Sequence, residues 1–363
     1  MSNQPVIVIG AGVIGLTVAN KLLQSTCYDV TIVAEHIPDT IFSASMRSPK
    51  WASPWAGAHW RASASKEDKK LQQMEIQTYN EMLELAVNEP ESGIFTATGV
   101  DLYEDLTVSP WYSTMVKDAI NIPTKKLPSG VSHGLQYKTL LINVPQYLLY
   151  LKSKFTNAGG KIICRTLHSI SEALDMINRK SESIPIVINC TGLGSLYLSD
   201  VADRAMYPIR GQTVLVHAPN AKQTITRLGA NFGYVIPRGD SSVILGGTAE
   251  KNSWETEPDS DTTTTILQRA LALEPALIPG DSNLWSTRSI NERVAALEKN
   301  IISVNVGFRP MRDGGVRLET EPYKDHSTGK HFKVVHCYGH AGYGYQSSLA
   351  FAQRVCEMVD EEA

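Results

Sequence analysis

Residues 5–35 are PVIVIGAGVIGLTVANKLLQSTCYDVTIVAE, and this stretch decides the fold. A run of β-branched residues ends in glycine, residues 13–24 have the apolar spacing of a helix, and residues 28–35 again have the composition of a strand. A strand, a helix and a strand within about thirty residues form a βαβ unit, in which the two strands lie parallel. The sequence therefore predicts an α/β domain built on a parallel sheet.

Gly10, Gly12 and Gly15 form a GxGxxG motif directly after the first strand. In this context the glycines permit a tight turn, close approach of the backbone to a pyrophosphate and close packing of helix on strand, while the helix N-terminus offers unpaired N–H groups to phosphates. Glu35 ends the second strand, where a carboxylate can accept hydrogen bonds from a ribose. The pattern favours a bound dinucleotide over the alternative, a tight turn with a structural role alone.

FAD and NAD bind the same first unit, so the glycine motif by itself leaves both open. Three further segments favour a flavin: INCTGLGS (188–195), SPWAGAHW (53–60) and GHAGYGYQ (339–346). A flavin needs bare backbone both along its pyrophosphate and near its isoalloxazine ring. A helix beginning near Gln346 would also direct its positive dipole at the ring edge where negative charge gathers on reduction.

Composition excludes several other classes of protein. The 363 residues carry a formal net charge of -3, which gives no global basic field and argues against nucleic acid as a partner. The five cysteines are scattered and contain no CxxC pair, which argues against a disulfide framework and a zinc site and favours a reducing compartment. The sequence contains neither an apolar run of about 18 residues nor a basic leader, so we expect an intracellular protein without a membrane span.

The residue pattern of the rest of the chain changes along its length. Residues 66–87 and 145–159 have helical spacing, residues 211–248 contain short alternating runs typical of antiparallel strands, and residues 332–339 return to a strand before a C-terminal helix. We therefore predict an α/β fold in which a Rossmann-like FAD-binding domain carries an inserted, mostly antiparallel α+β substrate-binding domain. The predicted segments are 1–60, 145–200 and 300–363 for the FAD-binding domain, and 61–144 and 201–299 for the substrate-binding domain.

Taken together, the motifs resemble the D-amino acid oxidase family, especially its fungal members. The segments that carry the resemblance are GAGVIGLTVA (10–19), SPWAGAHW, INCTGLGS, YPIRGQTVLV (207–216), GYVIPRGD (233–240), LGGT (245–248), VGFRPMRDGGVRLE (306–319) and VVHCYGHAGYGYQSS (334–348). They run in order from one end of the chain to the other. The resemblance implies noncovalent FAD, a D-amino acid substrate, hydride transfer from Cα–H to flavin N5, and reduction of molecular oxygen to hydrogen peroxide.

The resemblance also assigns roles to individual residues. It implies that Arg309 clamps the substrate α-carboxylate, that the hydroxyl of Tyr234 supports the same carboxylate, and that the backbone carbonyl of Gly342 accepts from the substrate amino group. A guanidinium suits the first role because it makes two parallel charge-assisted hydrogen bonds. The residues predicted to hold FAD are Gly10, Gly12, Val13, Ile14, Gly15, Glu35, Ser43, Ser45, Gly57, Ala58, Leu167, Thr191, Gly192, Gly339, Gly342, Tyr343, Gly344, Tyr345 and Gln346.

Two departures from the family pattern suggest an acidic substrate. Ala249 stands where relatives that prefer neutral substrates often have a bulky tyrosine, and Arg227, seven residues before Tyr234, stands where D-aspartate oxidases have an arginine. Arg227 is therefore predicted to pair with a side-chain carboxylate, with His59 as a second donor. The alternatives are an Arg227 that points to solvent and a His59 that is packed or lies at the flavin edge.

The predicted function is FAD-dependent oxidative deamination of D-aspartate, and of D-glutamate, to a 2-oxo acid, ammonia and hydrogen peroxide. A broad oxidase of neutral D-amino acids, an NAD(P)-dependent dehydrogenase and a flavoprotein without enzymatic activity remain alternatives. The expected partners are the amino acid and molecular oxygen, with no nucleic acid, no membrane and no metal, and the oligomeric state stays open. The resemblance implies a peroxisomal location, although the chain ends in EEA instead of an SKL-type signal.

Overall fold

The computed structural model describes residues 3–39, 48–106, 109–176, 184–279, 285, 287–325, 329 and 331–361. Its strands, in chain order, are β1 (Gln4–Ile9), β2 (Tyr28–Ala34), β3 (Ile94–Tyr103), β4 (Ile120–Asn121), β5 (His133–Ile142), β6 (Lys161–Cys164), β7 (Ile186–Asn189), β8 (Met206–His217), β9 (Thr224–Leu228), β10 (Gly233–Pro237), β11 (Ser242–Gly246), β12 (Glu250–Lys251), β13 (Ile301–Arg312), β14 (Arg317–Lys324) and β15 (His331–Tyr338). Its helices of nine residues or more are α1 (Val13–Leu22), α2 (Lys69–Asn88), α3 (Val144–Asn157), α4 (Ser260–Leu273), α5 (Ile290–Glu298) and α6 (Gly344–Asp360).

The first sheet has six strands in the order β14-β15-β7-β1-β2-β6. Strand β1 pairs in parallel with both β2 and β7, which confirms the predicted βαβ unit. Val6 and Val8 pack with residues of α1, α3 and α6 on one face, and Ile7 and Ile9 pack in a separate cluster on the other. Because both faces are covered, the strand is apolar throughout instead of alternating.

The second sheet is mostly antiparallel, as predicted, and runs in the order β12-β8-β11-β10-β9-β3-β5-β4, with β13 also paired to β8. Within the described strands of this sheet, only β3 and β9 pair in parallel. Helices α4 and α5 cover one face, where Val235 and Leu245 pack against Leu267. Since side chains alternate along a strand, Tyr234 and Ile236 point to the opposite face, which is free of these helices.

Strand β13 departs from the predicted division of the chain. Residues 301–312 were predicted to belong to the FAD-binding domain, but they pair antiparallel with β8 in the second sheet, with Arg309 opposite Ile209. Residues 301–312 thus lie in the second sheet, and the boundary predicted at residue 300 stays a prediction. The chain crosses from the second sheet to the first in the short turn between β13 and β14, where no change in composition marks the crossing. The other domain boundaries stay a prediction.

The C-terminal segment brings the chain back to the first sheet. After β15 the backbone turns sharply, with a φ of +91° at Gly339 and +48° at Ala341, and His340 forms a β-bridge with Met311 of β13. Helix α6 then begins at Gly344, slightly before the predicted start near Gln346, and no side chain caps its N-terminus. None of the described helices is long and apolar enough to cross a membrane.

Candidate active site

A cavity of about 940 Å³ is lined by residues of both sheets. Its walls come from the carboxyl ends of β1, β2, β7 and β15 and from the uncovered face of β8, β9 and β10. Ligands of open parallel sheets bind outside the carboxyl ends of the strands, and ligand pockets commonly measure roughly 300–1,000 Å³. The cavity is therefore the candidate active site.

At one end of the cavity, helix α1 approaches two strands without intervening side chains. Gly10 has a φ of +109°, and a Cβ on it would lie 2.6 Å from the carbonyl oxygen of Cys190 on the adjacent strand end. A Cβ on Gly15 would overlap the carbonyl oxygen of Gly10. Gly12 is the N-cap of α1 and contributes no side-chain cap. This bare backbone at a helix N-terminus fits the phosphates of a dinucleotide.

The same part of the site has an aromatic wall with a free hydrogen-bond donor. His36 stacks on Trp51, with ring centroids 5.7 Å apart. The indole Nε1 of Trp51 is buried and has no partner among the described residues. Glu35, at the end of β2, lines the cavity with its carboxylate exposed. A buried donor without an acceptor is uncommon in native proteins, so Trp51 fits a site completed by a bound polar group.

The predicted cofactor residues converge on this cavity, with three exceptions. Those that line it are Gly10, Gly12, Val13, Ile14, Glu35, Gly57, Ala58, Leu167, Thr191, Gly192, Gly339, Gly342, Tyr343, Gly344, Tyr345 and Gln346. Gly15 packs α1 against Gly10 instead of lining the cavity. Ser43 and Ser45 lie outside the described residues.

Arg309 lies in the wall formed by β13, where glycines leave room for its guanidinium. A Cβ on Gly211 would overlap that guanidinium, and a Cβ on Gly342 would approach Arg309 Cδ to 3.2 Å. Arg309 Nη1 donates to the carbonyl oxygen of Thr248 at 2.9 Å. No carboxylate among the described residues forms an ion pair with Arg309. The cavity therefore contains a cation whose charge the surrounding protein does not neutralise by direct contact.

Tyr234, on strand β10, lies near Arg309. Its ring lies over Gly246 and Gly247, and a Cβ on Gly247 would lie 2.8 Å from the tyrosine hydroxyl. The residue that follows Gly247 is Thr248, whose carbonyl oxygen accepts from Arg309. The structure thus brings the predicted carboxylate-binding pair, Arg309 and Tyr234, together with Gly342 in one cavity.

The structure contradicts the predicted role of Arg227. Thr226 pairs with Tyr234 across β9 and β10, so Arg227 pairs with Gly233 and points to the opposite face of the sheet. There its guanidinium forms an ion pair with Glu104 at 2.7 Å and donates to the carbonyl oxygen of Ser129. Hydrogen bonds from Asn231 and Arg227 lower the pKa of Glu104 to about 2, so the ion pair is present at neutral pH. Spacing along the chain suggested the pocket, but an offset of one residue places the side chain outside it.

His59 lines the cavity, as predicted, and its Nδ1 lies 2.8 Å from the hydroxyl oxygen of Thr224. Burial, and next the nearby positive charge of Arg61, lower the pKa of His59 to about 3. The imidazole is therefore neutral at physiological pH. It can take part in hydrogen bonds with a ligand, but it contributes no positive charge.

Among the residues of the cavity wall that were not predicted from the sequence, two polar ones lie on the side of the second sheet. Arg61 lines the cavity beside His59, and Thr226 lines it with a buried hydroxyl that has no partner among the described residues. Arg61 is the only residue of the segment SPWAGAHWRASAS (53–65) that carries a fixed charge, which was the available signal. Thr226 has no signal of its own, because its orientation depends on the register of β9.

Comparisons with known proteins agree with this geometry. The sequence profile of the family described as FAD dependent oxidoreductase (DAO) matches residues 5–358. The chain is 33% identical to a D-aspartate oxidase of Cryptococcus neoformans var. grubii, with 97% of this chain and 95% of the relative covered. It is 34% identical to a D-amino-acid oxidase of Schizosaccharomyces pombe, with 96% and 95% covered. The structure matches glycine oxidase from Bacillus cereus with a TM-score of 0.70 at 17% identity, over 99% of this chain and 96% of that one, which shows a shared fold.

We predict that Gly10→Ala lowers the affinity for FAD more than tenfold, because the new Cβ meets the backbone carbonyl of Cys190 and the positive φ adds strain, together costing a few kcal/mol. The measurement is the ratio of flavin to protein absorbance after gel filtration at limiting FAD. Gly159→Ala is the matched control, since Gly159 has a similar φ of +92° with nothing within 4 Å of the new Cβ. Equal flavin content in the two variants would contradict the assigned phosphate site.

We predict that His59→Asn makes the protein less sensitive to acid. The folded state holds the pKa of His59 near 3, below its ordinary value of 6.5, so the unfolded chain binds more protons once the pH falls below 6.5. Lowering the pH from about 7.5 to about 5 should therefore cost the wild type up to about 2 kcal/mol more unfolding free energy than the variant. Denaturant titrations at fixed FAD concentration measure this difference. A matching gain from His331→Asn, at an exposed histidine, would contradict the assignment.

Proposed function

This chain belongs to the FAD dependent oxidoreductase family, and from that membership and the geometry of its cavity we propose that it oxidises acidic D-amino acids, D-aspartate and D-glutamate. The family profile covers residues 5–358, and relatives at about a third identity over nearly the full length are D-aspartate and D-amino acid oxidases. The chain is therefore an FAD-dependent oxidase of the D-amino acid oxidase type. The membership confirms the predicted cofactor and removes the NAD(P)-dependent dehydrogenase as an alternative.

The observation that carries the proposal is the guanidinium of Arg309 beside Tyr234, which forms no ion pair with any carboxylate in the part of the chain that the structure describes. A guanidinium that faces a ligand cavity without a protein carboxylate suits a bound carboxylate, which it can hold by two parallel hydrogen bonds. The hydroxyl of Tyr234 can donate a third hydrogen bond to the same group. We assign both residues to the substrate α-carboxylate. A flavoprotein without a substrate would gain nothing from this arrangement.

The backbone carbonyl of Gly342 is proposed to accept from the substrate amino group. Gly342 lies next to the Arg309 side chain, so the two contacts together fix the amino and carboxylate groups and thereby the direction of the Cα–H bond. Only one enantiomer then directs its hydrogen into the cofactor end of the cavity. A substrate with a neutral amine that loses its Cα hydride becomes an iminium, which water hydrolyses to a 2-oxo acid and ammonium.

When bound, FAD supplies the acceptor for the substrate hydride, and its reoxidation by molecular oxygen yields hydrogen peroxide. The chain's own contribution is orientation and charge. Tyr343, Gly344 and Gln346 line the cavity at the N-terminus of α6, a helix of 17 residues whose first turn has no side-chain cap. The positive end of that helix stabilises negative charge developing at this wall.

The proposed preference for acidic substrates is supported by two relatives and by the residues of the cavity wall. Two of the most similar relatives are D-aspartate oxidases, from Cryptococcus neoformans var. grubii and from Talaromyces thermophilus at 33% and 32% identity. A second guanidinium, that of Arg61, lines the cavity, and Ala249 contributes a small side chain to the wall. Other relatives at similar identity are D-amino-acid oxidases, so oxidation of neutral D-amino acids remains the alternative function. A peroxisomal location is proposed with the same function, since the reaction releases hydrogen peroxide.

Anaerobic titration of the yellow protein tests the substrate class. We predict that D-aspartate and D-glutamate bleach the flavin absorbance at concentrations at least about tenfold lower than D-alanine, since one lost charge-assisted contact is worth about 1.5–3 kcal/mol. L-Aspartate is the control for stereochemistry and should leave the flavin oxidised. Preferential bleaching by D-alanine would select the neutral-substrate oxidase, and no bleaching by any D-amino acid would remove the proposed activity.

We predict that Arg309→Lys lowers kcat/KM for D-aspartate by about 30-fold to several thousandfold while the FAD content stays unchanged. Lysine keeps the charge but loses the two-pronged contact with the carboxylate, and weakening a buried charge pair costs about 2–5 kcal/mol. Oxygen consumption measures the rate. Arg312→Lys on the same strand is the control, because Arg312 pairs with Asp203 at 2.8 Å and does not line the cavity. Equal losses in the two variants would contradict the assigned clamp.

A further inference from the structure

We propose that Arg61, in the wall of the cavity, is the residue that recognises the side-chain carboxylate of the substrate. The inference rests on the proposed oxidation of acidic D-amino acids and adds to it the residue that sets the specificity. Thr226 is the proposed second contact, through its free hydroxyl. Arg227, which the sequence suggested for this role, has no part in it.

Hydrogen bonds to neighbouring elements hold the backbone around Arg61. The preceding residue, Trp60, is fully buried; its backbone N–H donates to Leu140 of β5 at 2.8 Å, and its indole Nε1 donates to the carbonyl oxygen of Glu75 at 3.0 Å. The side-chain amide of Gln346 donates to the carbonyl oxygen of Arg61 itself. Arg61 and His59 are two residues apart in an extended segment and line the same cavity.

The neighbours of the Arg61 guanidinium leave most of its donors free. Arg61 Nη1 donates to the carbonyl oxygen of Ala62 at 3.2 Å, and the guanidinium also hydrogen-bonds the hydroxyl of Tyr103. No described carboxylate oxygen lies within the 4.0 Å of an ion pair. A guanidinium has five N–H donors, so Arg61 can still bind a carboxylate with two of them.

A buried carboxylate near Arg61 favours the charged form of the guanidinium. Asp101 is 1% exposed and accepts hydrogen bonds from the hydroxyls of Tyr112 and Tyr137. Burial lowers the pKa of Arg61, but the attraction of Asp101 together with that of Tyr112, Tyr137 and Tyr103 outweighs burial and raises the pKa above its ordinary value. This group of neighbours therefore makes it less costly to hold the cation in the wall.

Strand register places this group near the proposed α-carboxylate site. Tyr234, Thr226 and Asp101 are successive partners across the adjacent strands β10, β9 and β3, and therefore lie on the same face of the sheet. Thr226 thus stands between the tyrosine of the α-carboxylate site and the carboxylate that supports Arg61. An amino acid held at Arg309 and Tyr234 would extend its side chain along this row, and an acidic side chain would meet the free hydroxyl of Thr226 and the guanidinium of Arg61.

The test compares Arg61→Gln with Arg227→Gln, which removes the same group from the opposite face of the same sheet. The measured quantity is kcat/KM for D-aspartate divided by kcat/KM for D-asparagine, a neutral substrate of the same shape. Arg61→Gln should lower this ratio about 100-fold, chiefly through D-aspartate, and Arg227→Gln should leave it within about threefold. Arg61→Lys keeps the positive charge but loses the two parallel hydrogen bonds of a guanidinium, so its ratio should lie between those of the wild type and Arg61→Gln.

A binding measurement gives a readout that does not depend on turnover. Calorimetry on the FAD-loaded protein compares succinate with butyrate, which has the same chain length and one carboxylate. Arg61→Gln should weaken the binding of succinate by about the same 100-fold and leave the affinity for butyrate unchanged. Since the substitution leaves Asp101 buried without its cation, the double variant Arg61→Gln with Asp101→Asn provides a folded reference, and it should show the same loss.

The outcomes separate this inference from the proposed function. A wild type that prefers D-aspartate to D-asparagine, together with an Arg61→Gln variant that keeps the preference, would leave the function intact and overturn the role of Arg61. If Arg61→Gln lowered kcat/KM equally for both substrates, or weakened the binding of succinate and butyrate equally, Arg61 would have a structural role. This result would also overturn the inference. A loss of preference in Arg227→Gln instead would restore Arg227. A wild type that prefers D-asparagine would remove the acidic function and this inference together.

Discussion

The cavity depends on a close approach of helix α1 to strands β1 and β7, which is possible because Gly10 and Gly15 carry no side chains. A Cβ at either position would meet backbone carbonyl oxygen, which cannot move aside as a flexible side chain could. The approach fixes the N-terminus of α1 at the carboxyl edge of the first sheet. Since β15 is the next strand beyond β7, the sharp turn after β15 ends at the same edge. The C-terminal glycines therefore face the same cavity as the N-terminal ones.

The opposite wall is held by a buried carboxylate. Glu75 of α2 is fully buried and accepts hydrogen bonds from the backbone N–H groups of Ser63 and Ala64 at 3.0–3.1 Å, and from the side chain of Gln346 at 3.4 Å. This one side chain joins helix α2, the segment that carries His59 and Arg61, and the first turn of α6. A change in the packing of α2 would therefore move the substrate wall, although α2 itself supplies none of the residues that line the cavity.

Much of the fold could be predicted because its signals are local. The βαβ unit is contained in residues 5–35, and its strands, helix and glycine motif all follow from short-range patterns. The family motifs likewise located Arg309 and Tyr234, which the structure brings into one cavity. The pairing of β13 in the second sheet was not predicted, because strand-like residues 301–312 can pair with either sheet and only the tertiary structure decides.

The error at Arg227 has a different physical origin. Side chains on a strand alternate between two faces, so a shift of one residue in the assumed register moves a side chain from the cavity to the other side of the sheet. Counting seven residues back from Tyr234 ignores the turn between β9 and β10, whose length sets the register. Arg61 could not be singled out from the sequence for a related reason: Asp101, which favours its charged form, is distant in sequence and comes to pair with Thr226 only once the sheet forms.

We propose that two guanidinium groups in one cavity, those of Arg309 and Arg61, recognise the two carboxylates of the substrate. The most direct measurement is a crystal structure of the FAD-loaded protein with succinate bound. We predict one carboxylate on the Arg309 guanidinium and the Tyr234 hydroxyl, and the other on Arg61 with Thr226 beside it. A succinate whose second carboxylate lies at Arg227, or in solvent away from Arg61, would contradict it.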